Sequence, residues 1–505
     1  MSSATSGLSV AGHHSPQRAS DYEMAPSFLQ LDLDVIAAIL EQVEHSDALH
    51  LAETCRAAQK VATPRFLSEV NIGPDWQKDG RNRVENFSKY MLQRPAERIP
   101  HLKTLIISSE TFIIGESDPE TGEMYVDFNF TSAVSLAAVV RRASRLRKLS
   151  IGCSEFLFEG VPELAVAVAS ISNIQEMIVT QMGIRVARVL SRMRSRPRSV
   201  ECSILEMRDE QEAQRYLAFR PGHDRFLDSL TECMEMLKLE NIGDVMVDLE
   251  FETVWPRVHA LSVTDTLIVD LNLYAKAFPN LRRLYINAVS VNKSVDARDV
   301  WTHLDFLALH WPRCPVFRRI RWLRFNFTLL LGGHSRNAMR YAESDHLLRV
   351  TRPSVLDALG TPALFKCVAG TAPSVKFLRV CVTATSVGSA SGQIESLDSW
   401  IENVTAHLKQ IQSLRGLAIV SQRRTLERRD EYARGILAAH PSLEYVGFAA
   451  WDQVEAPLSW ADQAVLFTWY HASARPENAP PVVEMLRVGA GNAAYQSLLD
   501  TPLSQ

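Results

Sequence analysis

A short pattern, P-x-[apolar]-x-x-[apolar]-x-[apolar], recurs along the chain after residue 95 and limits its folding choices more than any other feature. It reads Pro100-His101-Leu102 with Leu105 and Ile107, Pro256-Arg257-Val258 with Leu261 and Val263, and Pro279-Asn280-Leu281 with Leu284 and Ile286. It returns at Pro373-Ser374-Val375 with Leu378 and Val380, and at Pro441-Ser442-Leu443 with Val446 and Phe448. Copies without the proline are anchored by Leu146, Leu149 and Ile151, by Ile174, Met177 and Val179, and by Met234, Leu237 and Leu239. Three more are anchored by Leu304, Leu307 and Leu309, by Ile320, Leu323 and Phe325, and by Leu414, Leu417 and Ile419. The last two anchors of each copy lie two residues apart, the period of a strand that buries one face. Between them, Ala133 to Ala143, Leu164 to Ser170 and Ile401 to Ile411 carry helical spacing. A unit of one strand and one helix cannot bury its apolar face alone, so such units must stack.

From Met234 to Leu304 the first anchors are 24, 23 and 23 residues apart, while other gaps stretch to 44 or 55. The shorter spacings are similar to those of leucine-rich repeats, which run about 20 to 29 residues. The expected fold class is therefore α/β. Residues 73–475 should form a degenerate leucine-rich-repeat-like region, a curved solenoid with a parallel sheet on its concave face and helices outside. An array built only of helix pairs would need two helices per repeat and no period-two segments. Gly115 to Gly122, Gly332 to Ser335 and Val387 to Gly392 read as turns or loops between repeats. Residues 476–505 read as an irregular C-terminal segment, in which Val482 to Val488 adds a last strand and Gly489 onward is a tail.

Ahead of the repeats, residues 1–26 hold few large apolar side chains and read as a disordered tail. They lack an apolar run behind a positive start, so secretion is not expected. No stretch of 18 apolar residues occurs, and runs such as Leu164 to Ala169 are short, so no membrane contact is expected. With 54 Lys and Arg against 58 Asp and Glu, the formal charge of -4 gives no global attraction for nucleic acid. Seven scattered cysteines, never spaced C-x-x-C, argue against a disulfide framework or structural zinc and for a cytoplasmic or nuclear location.

Residues 27–72 read as a small helical unit. Val35, Ile36, Ile39, Leu40 and Val43 make an apolar stripe behind the acidic pair Asp32 and Asp34, and a second helix carries Leu49, Leu51, Ala52 and Cys55. The run Leu31-Asp32-Leu33-Asp34-Val35-Ile36 with Ile39-Leu40, then Asp47-Ala48-Leu49 with Leu51, then Cys55-Arg56, resembles the F-box, in the arrangement of the large fungal families of F-box proteins. It departs from the family pattern at Asp32, where proline is usual, and in having no tryptophan after Cys55-Arg56. The resemblance implies docking on a Skp-type adaptor, and through it on a cullin, with the chain serving as the substrate-recognition subunit of a ubiquitin ligase. The adaptor contact would then use Leu31, Asp34, Val35, Leu40 and Leu49. The alternative is a free-standing repeat scaffold whose helical hairpin merely caps the array.

The sequence offers no support for catalysis or a cofactor. It has no H-E-x-x-H, no phosphate-binding glycine loop and no G-x-S-x-G, since Ala390 stands where a nucleophile would. The arginines at 192, 194, 196 and 198, those at 318, 319, 321 and 324, and those at 423, 424, 428 and 429 read as solvated faces. Trp322, Phe325 and Phe327 beside the second group read as packing. A period of two sends the fifth and seventh positions of each repeat to the face opposite the anchors. That rule exposes Tyr285, Asn287, Ala308, His310, Arg324, Asn326, Arg379 and Cys381. Of these, Tyr285, Asn287, His310, Arg324, Asn326 and Arg379 form the expected site for an unknown target protein.

Overall fold

A computed structural model describes residues 28–73, 80–117, 124–204, 226–241, 253–269, 271–291, 301–310, 318–325, 335–382, 397–421, 426–450, 467–473 and 481–502. The reading of residues 1–26 as a tail therefore lies outside the described residues, as do the loop around Val387 and Asn326 of the target site. The chain divides into two units, Met1–Glu69 and Val70–Gln505. Described helices of the first are Leu33–Gln42, His45–Thr54 and Arg56–Phe66.

In the second unit the repeats become strands of one sheet. They are β1 (Glu69–Ile72), β2 (Thr104–Ile107), β5 (Lys148–Ile151), β6 (Glu176–Met182), β7 (Ser199–Ile204), β8 (Met236–Glu240), β9 (Ala260–Val269) and β10 (Arg283–Val291). They continue as β11 (Phe306–Leu309), β12 (Trp322–Phe325), β13 (Val355–Leu359), β14 (Phe377–Cys381), β15 (Gly416–Ser421), β16 (Tyr445–Ala450), β17 (Thr468–Ala472) and β18 (Val483–Met485). A separate antiparallel hairpin, β3 (Ile113–Ser117) and β4 (Met124–Phe128), flanks the expected Gly115–Gly122 loop. The sheet has 16 strands arranged in chain order, parallel from β2 to β16 and antiparallel at β17 and β18. The architecture is thus α/β with a large, mostly parallel open sheet.

The register follows the motif. Fourth-position anchors pair in an unbroken row: Leu105, Leu149, Met177, Val200, Leu237, Leu261, Leu284, Leu307, Leu323, Leu356, Leu378, Leu417 and Val446. All three anchors of every copy named above are buried. Two further repeats, at β7 and β13, escaped the motif. Their first anchors are Pro197 and Pro353 instead of a large aliphatic, and their sixth are the small Cys202 and Ala358. The gap of 55 residues between Ile320 and Val375 is therefore two units, split at Pro353.

Helices occupy the connections, among them Ala133–Arg142, Pro162–Ser170, Ile184–Arg192, Pro362–Thr371, Leu397–Leu408 and Arg429–Ala439. Buried Glu155 fixes one of them. Its carboxylate accepts from the backbone N–H groups of Gly183, Arg185 and Val186 at 3.0 to 3.1 Å, satisfying the open N-terminus of Ile184–Arg192.

The C-terminal expectation needs correction. Residues Val488–Leu499 are a helix, not a tail, and Tyr495, Leu498 and Leu499 bury one side of it. The segment VGAGNAAYQSLL is mostly small residues, which read as flexible, but small residues also allow close approach. A Cβ on Gly416 would lie 2.6 Å from the Leu498 side chain, and one on Gly447 would lie 2.8 Å from the Trp469 ring. Bare backbone at these two strand positions is what lets the helix and the Trp469 ring settle on the sheet.

The glycines give a paired prediction. Gly447→Ala should lower stability by about 1 to 3 kcal/mol, because the rigid Trp469 ring cannot yield. Gly435→Ala lies inside helix Arg429–Ala439 with nothing within 4 Å of the new methyl group, so it should raise stability by about 0.5 to 1 kcal/mol. Urea unfolding of both variants checks the contrast.

Candidate functional site

The small helical unit closes around small residues. Ile36 and Leu40 on its first helix, Ala48 and Ala52 on the second, and Ala58 and Ala62 on the third are buried. Cys55 caps the third helix through its sulfur, which accepts from the N–H of Ala58 at 3.4 Å. Arg65 donates to the Val43 carbonyl at 2.8 Å and to Nε2 of His45 at 3.0 Å, tying the third helix to the turn between the first two.

With so little needed inside, large apolar side chains remain outside. Leu33 is 72% exposed, and Leu29, Val35, Ile39 and Leu49 are exposed with it. Val35, Ala38, Ile39 and Val43, with Asp34 and Gln42, surround a shallow apolar depression of about 630 Å³. Of the residues expected to meet an adaptor, Val35, Leu49 and Asp34 are exposed and Leu31 is half-buried. Leu40 is corrected: at 4% exposure it belongs to the interior. The pair Ile36 and Leu40, four apart, faces inward, whereas Val35 and Ile39, also four apart, face out. Leu33 and Ile39, which also lie in the resembling run but not among the expected contact residues, are exposed as well.

The expected target face divides in two. On β5 to β8 its fifth-position side chains Ser150, Ile178, Glu201 and Lys238 are half-exposed, and Lys238 pairs with Glu201 at 2.6 Å. Tyr285, Asn287 and His310 are half-buried. Further along, the expectation of exposure fails: Ala308, Arg324, Arg379 and Cys381 are all buried, Arg324 at 1% and Arg379 at 0%. The period of two placed them on the correct side of the sheet, but that side is covered. Phe306, Trp322, Phe377, Val420, Phe467, Trp469, Tyr495 and Leu498 belong to a second core there.

Inside that core sits a charged cluster. Asp357 lies between two guanidiniums, with its Oδ2 3.3 Å from Nε of Arg324 and its Oδ1 3.3 Å from Nε of Arg379. Trp322 donates from Nε1 to the same Oδ2 at 2.9 Å. Arg324 lies 4.9 Å from the centre of the Phe306 ring, and Arg379 lies 5.5 Å from those of Trp322 and Tyr495, within cation–π range. The cover is also pinned at its end. Arg321, held bidentate by Asp305 at 2.6 and 2.7 Å, donates to the Leu499 carbonyl, and Ser354 donates to that of Pro502 at 2.9 Å.

A signal for this cover exists in the sequence. Strands facing solvent on one side alternate, as in KLSI and MLKLE, but FLAL, WLRF, FLRVC and GLAIVS are nearly continuous apolar runs. Continuous runs mark strands buried on both faces.

Among the described residues no group of three His, Cys, Asp or Glu could hold a metal ion. Burial pushes the thiols of Cys153 and Cys202 up to about 12 and also raises that of Cys381, so these sulfurs stay protonated and inert. No protein-family model matches the chain, and no curated protein matches it.

Two outcomes follow. Replacing Asp357 by Leu leaves two buried guanidiniums without this carboxylate and should cost about 3 to 5 kcal/mol in denaturant unfolding. His45 titrates below its usual value, because desolvation outweighs the pull of Glu69 and Arg65 adds to the lowering. The unfolded chain therefore binds a proton first as pH falls through about 6.5, so stability drops on acidification. Thermal melts of wild type between pH 7.5 and 5 should show this loss, and His45→Gln should flatten the part that His45 contributes.

Proposed function

We propose that the chain is a non-catalytic receptor that docks on a Skp-type adaptor of a cullin-based ubiquitin ligase through its N-terminal helices and holds a target protein on its repeats. The observation that carries this reading is the set of exposed apolar side chains, Leu29, Leu33, Val35, Ile39 and Leu49, on a unit of three short helices. A soluble chain gains nothing from such a face unless a partner covers it. Of these, Leu33, Val35, Ile39 and Leu49 fall within the run that resembles the F-box. The in-order parallel strands with connecting helices fit a leucine-rich-repeat-like solenoid, which would supply an extended surface for the target. Catalysis would then come from proximity alone, by raising the effective concentration of the target at a partner enzyme. A cytoplasmic or nuclear location accompanies this reading.

Burial restricts where the target could lie. Arg324 and Arg379 are inside the second core, so a target contact on that face is left to Tyr285, Asn287 and His310 and to the open stretch before them.

The test is co-elution of the full chain with the adaptor on a sizing column. Val35→Asp and Leu49→Asp alter exposed positions and should leave circular dichroism unchanged while weakening the complex at least tenfold, as for a hot spot of about 2 kcal/mol. Wild-type chain that fails to bind the adaptor would leave the free-standing scaffold as the better account.

A further inference from the structure

The turns leading into β2, β5, β6 and β7 form a polar trough of about 620 Å³. Six cationic side chains line it, those of Lys103, Arg145, Arg147, Arg194, Arg196 and Arg198, and no carboxylate does. Among the described residues Lys103, Arg145, Arg147 and Arg194 enter no ion pair, and Arg198 reaches Glu235 only at 3.7 Å. The charge is felt nearby. The pKa of His101 is lowered first by desolvation and then by Arg145 and Lys103.

The floor of the trough is stitched together. Arg147 N–H donates to the Lys103 carbonyl at 2.7 Å, Gln175 N–H to that of Arg147 at 2.7 Å, and Arg198 N–H to that of Gln175 at 2.8 Å. Asn173 donates from its amide to the Ser144 carbonyl at 2.6 Å. Buried Ser195 donates to the Ile171 carbonyl at 2.6 Å and accepts from the N–H of Ile174 at 3.2 Å. The cations are thus mounted on fixed turns that advance by one strand, about 4.8 Å, at a time. Three such steps from Lys103 to Arg198 span about 14 Å, the length of about four residues of extended peptide.

Two rows result. Lys103, Arg147 and Arg198 stand directly before their strands, while Arg145, Arg194 and Arg196 stand in the preceding turns. An extended peptide sends successive side chains to opposite sides, so neighbouring acidic residues would each meet a row. Guanidinium forks suit carboxylates and can bind them bidentate. The lining has no aromatic side chain on which the bases of a single-stranded nucleic acid could stack. Cations spread over about 14 Å of successive strand starts suit an extended ligand better than a compact polyanion.

We propose that this trough is a docking groove for an extended acidic peptide segment of a partner protein. As the place where a ligase target is held, it rests on the receptor reading above; as a peptide groove it does not.

The experiment uses the full chain and a short fluorescent peptide of consecutive Asp and Glu residues, with a Lys counterpart as control, read by anisotropy. The acidic peptide should bind, the Lys peptide should not, and affinity should fall as salt rises from about 50 to 200 mM. Arg145→Glu with Arg147→Glu changes exposed side chains that make no hydrogen bond and should weaken binding at least tenfold while leaving circular dichroism unchanged. Failure of the wild type to bind, or equal binding by the variant, overturns the proposal. So does tighter binding of tripolyphosphate or a single-stranded RNA oligonucleotide than of the peptide. Adaptor co-elution is measured on the same preparations. A chain that binds adaptor and ignores the peptide loses only the groove, and one that binds the peptide and ignores adaptor loses only the receptor reading.

Discussion

An unbroken row of fourth-position side chains, from Leu105 on β2 to Val446 on β16, holds the large sheet in register. Parallel strands in chain order offer each unit only its neighbours to pack on, so every unit must present the same apolar position at the same depth. A slip by one residue would carry the anchors to the other face and the fifth-position residues into the interior. Loop length does not enter this condition, which is why spacings as different as 23 and 44 residues coexist with one register.

A second constraint acts on the opposite face. From β11 onward the fifth-position side chains Ala308, Arg324, Asp357, Arg379 and Ala418 and the seventh-position Cys381 and Val420 are buried, among side chains that include Phe467, Trp469, Tyr495 and Leu498. Two glycines make the contact close enough, and Arg321 and Ser354 fix the end of the chain that follows the helix. Burial then changes what charge can do. Asp357, Arg324 and Arg379 sit on strands as surface residues do elsewhere in the sheet, yet they pair inside a shell of aromatic rings. Such a cluster fixes the strands and rings relative to one another, and is not available to a macromolecular partner. Among the described residues, the face before β11 and the cationic turns at the start of the strands remain accessible.

The small helical unit follows a different economy. Its helices meet through alanines, so few large side chains are spent on closure and several are left outward. The inward and outward stripes of the first helix are one residue apart, which is why Leu40, expected on the outward face, is interior while its neighbour Ile39 is exposed. A period near four fixes that two stripes exist; which one is covered depends on where the third helix lies.

The sequence by itself determined the repeat: Leu102, Leu105, Ile107 and their counterparts announce strand, side and depth, because burial on one face imposes a period of two. The four-residue spacing of Ile36 and Leu40 likewise announces the buried stripe of helix Leu33–Gln42. The sequence missed β7 and β13, where proline, cysteine and alanine fill anchor positions, since a small side chain can be buried as well as a large one without carrying the pattern. Only the tertiary structure decided which faces meet water. The cover over Arg324 and Arg379 comes from Phe467, Trp469, Tyr495 and Leu498, far along the chain from both, and the six cations of the trough come from turns scattered between Lys103 and Arg198. Solvent exposure is a property of the whole chain's packing, so a local pattern gives the direction of a side chain and leaves what it meets to be settled in three dimensions.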